Sequence, residues 1–151
     1  MEWMLMPLRR YAEFSGRSRR KEYWMFTLFI VLAGAVLAAL MFAGGLPSMI
    51  EAQERGTELE SPGVLFWLGA GLFGLFTLAI IIPGIAVAVR RFHDRNMSGW
   101  WYLGLIVLGM IPVVGFIASI ANLVIMCLPG TPGPNRVGPD PKDPAGADVF
   151  A

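Results

Sequence analysis

Hydrophobic and polar positions along this chain are segregated into long blocks rather than interleaved. Three apolar runs, Trp24 to Leu46, Val64 to Val89 and Trp100 to Leu128, contain no charged residue and alternate with short segments that hold all the charge. A helix rises ~1.5 Å per residue and satisfies its own backbone, so about 20 uncharged residues suffice to cross a ~30 Å hydrocarbon layer. The blocks therefore predict an all-α integral membrane protein with three transmembrane helices, a basic segment 1–23 before them and a tail 129–151 after them. The first run follows 23 residues carrying nine charges, unlike the short basic leader of a signal peptide, and reads as a retained span.

The third run is the exception to a simple count. Its 29 residues would form a helix ~43 Å long, and Pro112 and Gly115 sit near its middle. One long tilted span kinked at Pro112 is the expectation, because irregular backbone at depth needs protein or water around it. The alternative is a turn at Ile111-Pro112-Val113-Val114-Gly115, splitting the run into a re-entrant hairpin that returns the tail to the side of the N-terminus.

Composition agrees with a membrane unit and leaves no polar sequence for a separate soluble domain: 56% of the 151 residues are hydrophobic, 15% are charged, and mean hydropathy is +0.60. The single cysteine, Cys127, has no partner for an internal disulfide and reads as a small packing residue. A net charge of +1 conceals a strong asymmetry. Segment 1–23 has six Lys or Arg, 47–63 has one, 90–99 has three and 129–151 has two. Cations are retained on the cytoplasmic face, so the N-terminus and the second loop are expected there. The first loop, with Glu51, Glu54, Glu58 and Glu60, is expected on the other side. A multi-pass protein of a bacterial inner membrane follows.

Small residues four apart, Ala35 with Ala39 and Ala70 with Gly74, are candidate helix contacts within or between subunits, reinforced by Gly69 and Gly71. Pro83-Gly84 should bend the second span. The runs hold no Asp, Glu, Lys, Arg or His, which argues against ion-coupled transport. Thr27, Thr77 and Ser119 can bond the preceding helical turn, whereas the Asn122 amide calls for a partner on another helix. Residues Trp3 to Phe14 suggest a short interfacial segment weakened by Pro7, and Tyr23, Trp24, Trp67, Trp100, Trp101 and Tyr102 suit aromatic belts at the headgroups.

Two basic motifs flank those belts: Ser15-Gly16-Arg17-Ser18-Arg19-Arg20-Lys21-Glu22-Tyr23-Trp24, and Arg90-Arg91-Phe92-His93-Asp94-Arg95-Asn96-Met97-Ser98-Gly99-Trp100-Trp101. Guanidinium clusters beside a bilayer attract anionic headgroups and can grip phosphate with paired donors. Arg17, Arg20, Lys21, Arg90, Arg91, Arg95 and Arg136 are therefore candidate lipid or phosphate ligands, against the plainer reading that they only fix orientation.

Together with the stretch Pro129-Gly130-Thr131-Pro132-Gly133-Pro134-Asn135-Arg136-Val137-Gly138-Pro139-Asp140-Pro141, these motifs resemble the small bacterial inner-membrane family catalogued as domain of unknown function 805. The resemblance covers residues from about Tyr11 to Pro141, with Phe92 where relatives commonly have Leu before the His-Asp pair. It implies a membrane location and no established activity.

Catalytic and metal readings find little support. His93 and Asp94 are adjacent and point apart, no second His exists to share a metal, and neither a phosphate-binding Gly-Lys-Ser/Thr loop nor a nucleophile with its base is present. Asp94 is expected to pair with Arg90, Arg91 or Arg95, or to cap the helix beginning near Ser98. No catalytic residue, metal or cofactor is expected. The tail, with six prolines and three glycines between Pro129 and Pro144, cannot continue a helix.

Two functional classes follow. The first is a non-catalytic membrane scaffold or regulator whose cytoplasmic basic surface takes anionic lipid or a protein partner. The second is a small pore or carrier built from several copies or with another membrane protein. Nucleic acid is not an expected partner, since the few basic residues are tied to the membrane surface.

Overall fold

A computed structural model describes residues 2–57 and 61–142. Glu58 and Glu60 of the first loop, and everything after Lys142 including Asp143 and Asp148, lie outside the described residues. The described residues form six helices: α1 Glu2–Arg9, α2 Arg20–Ala43, α3 Leu46–Arg55, α4 Val64–Asp94, α5 Trp100–Gly109 and α6 Val114–Cys127. The chain divides into two units, Leu28–Ile81 and the combination of Met1–Thr27 with Ile82–Ala151.

The hydrophobic pattern explains the two longest helices. At 24 and 31 residues, α2 and α4 are ~36 and ~46 Å long, and both are long and apolar enough to cross a membrane. Their large side chains face outward: Val36 is 64% exposed, Phe42 65%, and Leu75 and Leu78 67% each. The buried set is instead rich in charge, with Arg17, Ser18, Glu22, Arg90, Arg91 and Asp94. Such an inversion fits a chain whose solvent is lipid.

Within Leu28–Ile81, glycine sets how closely the two long helices approach. A side-chain carbon at Gly69 would lie 2.9 Å from Met41 Cγ and 3.0 Å from the Met41 backbone nitrogen, and one at Gly44 would collide with the backbone of Phe66. The Phe29 and Phe76 rings meet edge to face at 6.2 Å, and Thr77 Oγ1 donates to Phe73 O, as a helical Thr can. Within this chain the small-residue pairs do not carry the close contact, apart from the neighbouring Gly69. Ala35, Ala39 and Gly74 are exposed, Ala70 is half-buried, and space around Gly71 and Gly74 is open. The close contact is carried by Gly44 and Gly69 because it runs along a neighbouring stripe of the helix.

The segment after α2 is not the plain loop that its charge suggests. Residues 46–55 form α3, bounded by Gly45 and Gly56, both at positive φ (106° and 64°). A left-handed residue costs an L side chain energy that glycine avoids, so these two positions start and stop the helix.

In the other unit, the 100–128 run is not a continuous kinked helix. It breaks at 110–113 into α5 and α6, which pack against each other as a hairpin. Pro112 removes a helical donor, Val113 turns at φ 68°, and a side-chain carbon at Gly115 would lie 2.5 Å from Gly109 O. The helices are ~15 and ~21 Å long, each short of a full crossing. Asn122 Oδ1 is buried without a partner among the described residues, and the residue lines a cavity of about 180 Å³ with Tyr102, Ser119 and Gly109. Pro83 is buried inside α4, which continues through it.

The Gly69 contact makes a direct prediction. Gly69→Leu should lower stability by about 1–3 kcal/mol through overpacking, whereas Gly74→Ala, facing open space, should be neutral or slightly stabilising. Thermal unfolding in detergent compares them.

Candidate functional site

Three segments distant in sequence meet around the C-terminus of α4. Asp94 ends that helix and is 4% exposed. One carboxylate oxygen, Oδ1, accepts from Arg17 Nε at 3.0 Å and lies 2.9 Å from Arg17 Nη2, while Oδ2 accepts from Arg91 Nη1. Each arginine then reaches carbonyls further along the chain, Arg17 in the tail and Arg91 at the end of α6. Arg17 Nη1 donates to Gly133 O at 2.6 Å and Nη2 to Thr131 O at 2.5 Å. Arg91 donates to Met126 O and Leu128 O. Gly130 has to be glycine here, because a side-chain carbon at that position would collide with the Asp94 carboxylate.

A second buried pair sits beside the first. Arg90, fully buried, donates from Nη2 to Glu22 Oε1 at 3.1 Å, and Glu22 Oε2 accepts from Ser18 Oγ at 2.8 Å. The Ser18 amide donates to Arg90 O. Arg90 Nε and Nη1 are buried without an acceptor among the described residues. Ser18 and Glu22, four apart at the start of α2, thus join that helix to the end of α4.

Helix ends explain why so many donors gather here. The last carbonyls of a helix lack intrahelical partners and carry the negative end of its dipole. At the end of α4, His93 O accepts from Asn135 Nδ2 and Asp94 O from the Thr131 amide and hydroxyl. At the end of α6, Met126 O is taken by Arg91, Cys127 O by Arg20 and, just beyond, Pro129 O by Arg95. The expected packing role for Cys127 is not met; it is exposed. A small apolar core of Ala88, Phe92 and Met126, with Tyr102 against Phe92, lies beside the ionic cluster.

The structure sorts the candidate lipid ligands into two groups. Arg17, Arg90 and Arg91 are buried and aimed at acceptors inside the fold, so the expectation of headgroup contact does not hold for them. Their charge is used as internal cross-links because Asp94, Glu22 and the tail carbonyls lie closer than any surface anion. Arg20, Lys21 and Arg136 are exposed, and Arg95 is half-buried. Lys21 and Arg19 lie over the Trp3 ring at 5.4 and 5.7 Å, a cation–π contact that holds α1 to the start of α2. Of the pairings expected for Asp94, the one with Arg91 forms; sequence reasoning missed Arg17 as its second partner, and missed Glu22 with Arg90. The signal was present as uncompensated carboxylates in otherwise basic motifs. The described residues contain no cluster of metal-ligating side chains.

Removing the shared carboxylate while leaving two buried guanidinium groups is costly. Asp94→Asn should destabilise the fold by about 3–5 kcal/mol, read as a fall in thermal midpoint, and Gly130→Ala should release the tail to protease. The tail also carries its own titrating latch. Asp140 accepts from the amides of Lys142 and Gly133, each at 2.9 Å, and these bonds hold its carboxyl below the ordinary 3.8. A lowered folded pKa stabilises above the unfolded value and is lost as pH falls through the folded one. Tail protection from protease or hydrogen exchange should therefore weaken only below about pH 4, and Asp140→Asn should abolish that dependence.

Comparison with known proteins covers nearly the same stretch of the chain as the resemblance. Residues 11–139 match the family described as Protein of unknown function (DUF805). The chain is 38% identical over 142 residues to Inner membrane protein YhaI of Escherichia coli strain K12, covering 94% of this chain and 97% of that one. It is 40% identical over 142 residues to Inner membrane protein YhaH of the same strain, covering 94% and 98%. No solved structure matches the chain. With the three motifs joined in one buried cluster and the match spanning nearly the whole sequence, the chain belongs to the DUF805 family of bacterial inner-membrane proteins.

Proposed function

We propose that this protein is a non-catalytic inner-membrane scaffold or regulator whose cytoplasmic face binds anionic lipid or, in the same place, an acidic protein partner. The observation that carries this reading is the division of its cations. Arg17, Arg90 and Arg91 are buried as cross-links, while Arg9, Arg20, Lys21, Arg136 and Lys142 in the same unit are exposed. Internal pairing uses up the buried charges and leaves the exposed ones free to meet an anionic surface.

In the proposed threading, α2 and α4 cross the bilayer, the N-terminus is cytoplasmic, and the α5–α6 hairpin enters and returns. The lysine and arginine distribution supports this orientation. So does the capping of α6 by Arg20, Arg91 and Arg95, which holds the tail beside the basic N-terminal segment.

Open space around Gly71 and Gly74 and exposure of Ala35 and Ala39 support a second reading, a pore or carrier of several copies packed through those faces. Single-chain mass in native spectra together with no solute flux in liposomes would remove it.

Each juxtamembrane cation contributes about 1 kcal/mol toward an anionic surface. The variant Arg20→Gln, Lys21→Gln, Arg136→Gln, Lys142→Gln should therefore retain cardiolipin and phosphatidylglycerol at least about tenfold more weakly in native mass spectra. Unchanged retention overturns the lipid reading. A reporter fused after Lys142 should report the cytoplasm; a periplasmic signal overturns the threading.

A further inference from the structure

Adjacent residues His93 and Asp94 are used on opposite sides of α4. Asp94 is consumed by the ionic cluster, but His93 turns to a groove of about 280 Å³ lined by Phe14, Val89, His93, Ser98, Gly99, Trp100 and Leu103. Its Nδ1 lies 3.2 Å from Gly16 O. A carbonyl can only accept, so Nδ1 carries the hydrogen, and in the tautomer with its one hydrogen on Nδ1 the other ring nitrogen, Nε2, presents a lone pair. Among the described residues nothing fills that valence.

Gly99 keeps Nε2 open. A side-chain carbon there would sit 3.2 Å from Nε2 and 2.6 Å from Val89 Cγ1, so the missing Cβ is what uncovers the imidazole. Ser98 Oγ accepts the Trp100 amide at 3.4 Å, leaving its hydroxyl hydrogen available. The groove thus offers one acceptor and one donor within apolar and aromatic walls, and no charged side chain lines it.

We propose that this groove seats a phospholipid by a hydroxyl-bearing headgroup such as glycerol, with His93 Nε2 accepting a headgroup hydroxyl and Ser98 Oγ donating to a second oxygen. This deepens the anionic-lipid reading above by naming the group recognised. Trp100, 78% exposed, flanks the mouth as an amphipathic aromatic does at a headgroup layer, and Phe14, 43% exposed, adds an apolar wall. From Leu103 onward α5 presents an uncharged apolar surface along which an acyl chain can lie. The volume admits a headgroup and not a whole lipid, since sites for drug-sized molecules begin near ~300 Å³. The exposed cations supply attraction that any anionic lipid satisfies; the groove supplies the choice among them.

Phosphatidylglycerol and phosphatidylmethanol carry the same charge and differ in the headgroup hydroxyls, so the ratio of their retention isolates the groove. In native mass spectra of the full chain, the wild type should retain phosphatidylglycerol about tenfold better, as expected for two net hydrogen bonds. His93→Phe should bring the ratio to about one. Because that change also breaks the bond to Gly16, Leu103→Trp serves as a second variant that fills the groove without touching either polar group, and it should do the same. The Arg20, Lys21, Arg136, Lys142 variant should lower both lipids equally and keep the ratio. A wild-type ratio near one overturns the proposal, as does a preference that survives both groove variants. A wild-type ratio near one with overall anionic retention intact refutes the groove alone, whereas retention of both lipids by the cation variant at the wild-type level refutes the surface reading alone.

Discussion

A carboxylate buried between two guanidinium groups is the constraint on which the rest of this structure depends. Asp94 is inaccessible at the end of α4, and an unpaired charge in that position would not be tolerated. It is balanced only if Arg17, from before α2, and Arg91, one turn back on α4, both arrive. Those same arginines have donors left over, and the carbonyls of Met126 and Leu128 at the end of α6 and of Thr131 and Gly133 in the tail receive them. One acidic residue thereby ties the N-terminal segment, the second long helix and the tail into a single cluster.

That requirement also bears on the third apolar run. The residues following α6 have to reach Asp94, so the run cannot end far from where it began, and it folds back at Pro112 and Val113 instead of continuing as a kinked rod. At the end of that hairpin, Arg91 and Arg20 take the last carbonyls of α6 and Arg95 takes Pro129 O just beyond. Positive charge at the negative end of a helix dipole is favourable in its own right. Capping and ion pairing thus work through the same side chains.

Functionally, the cluster separates two kinds of basic residue that are indistinguishable by type. Buried arginines cross-link the chain internally; Arg20, Lys21 and Arg136 are exposed. His93, next to the most constrained residue in the chain, is held by Gly16 on one nitrogen and left open on the other, which places a hydrogen-bonding group in an apolar groove on a rigid support. Rigid supports are what positional selectivity requires.

The sequence by itself determined the medium, the helical class and the positions of the two long helices, because transfer of uncharged apolar blocks into lipid is additive along the chain and needs no knowledge of neighbours. It also identified the three motifs, through their concentration of Arg, Asp, Gly and Pro, and with them the family. Tertiary structure alone decided which way Arg17, Arg90 and Arg91 point, that Gly44 and Gly69 make the close helix contact while Ala35, Ala39 and Gly74 face outward, and that 100–128 is a hairpin. Each of those depends on a partner far along the chain. The energy of an ion pair, a cap or a backbone contact is set by the distance between two groups in space, and no local window of residues contains that distance.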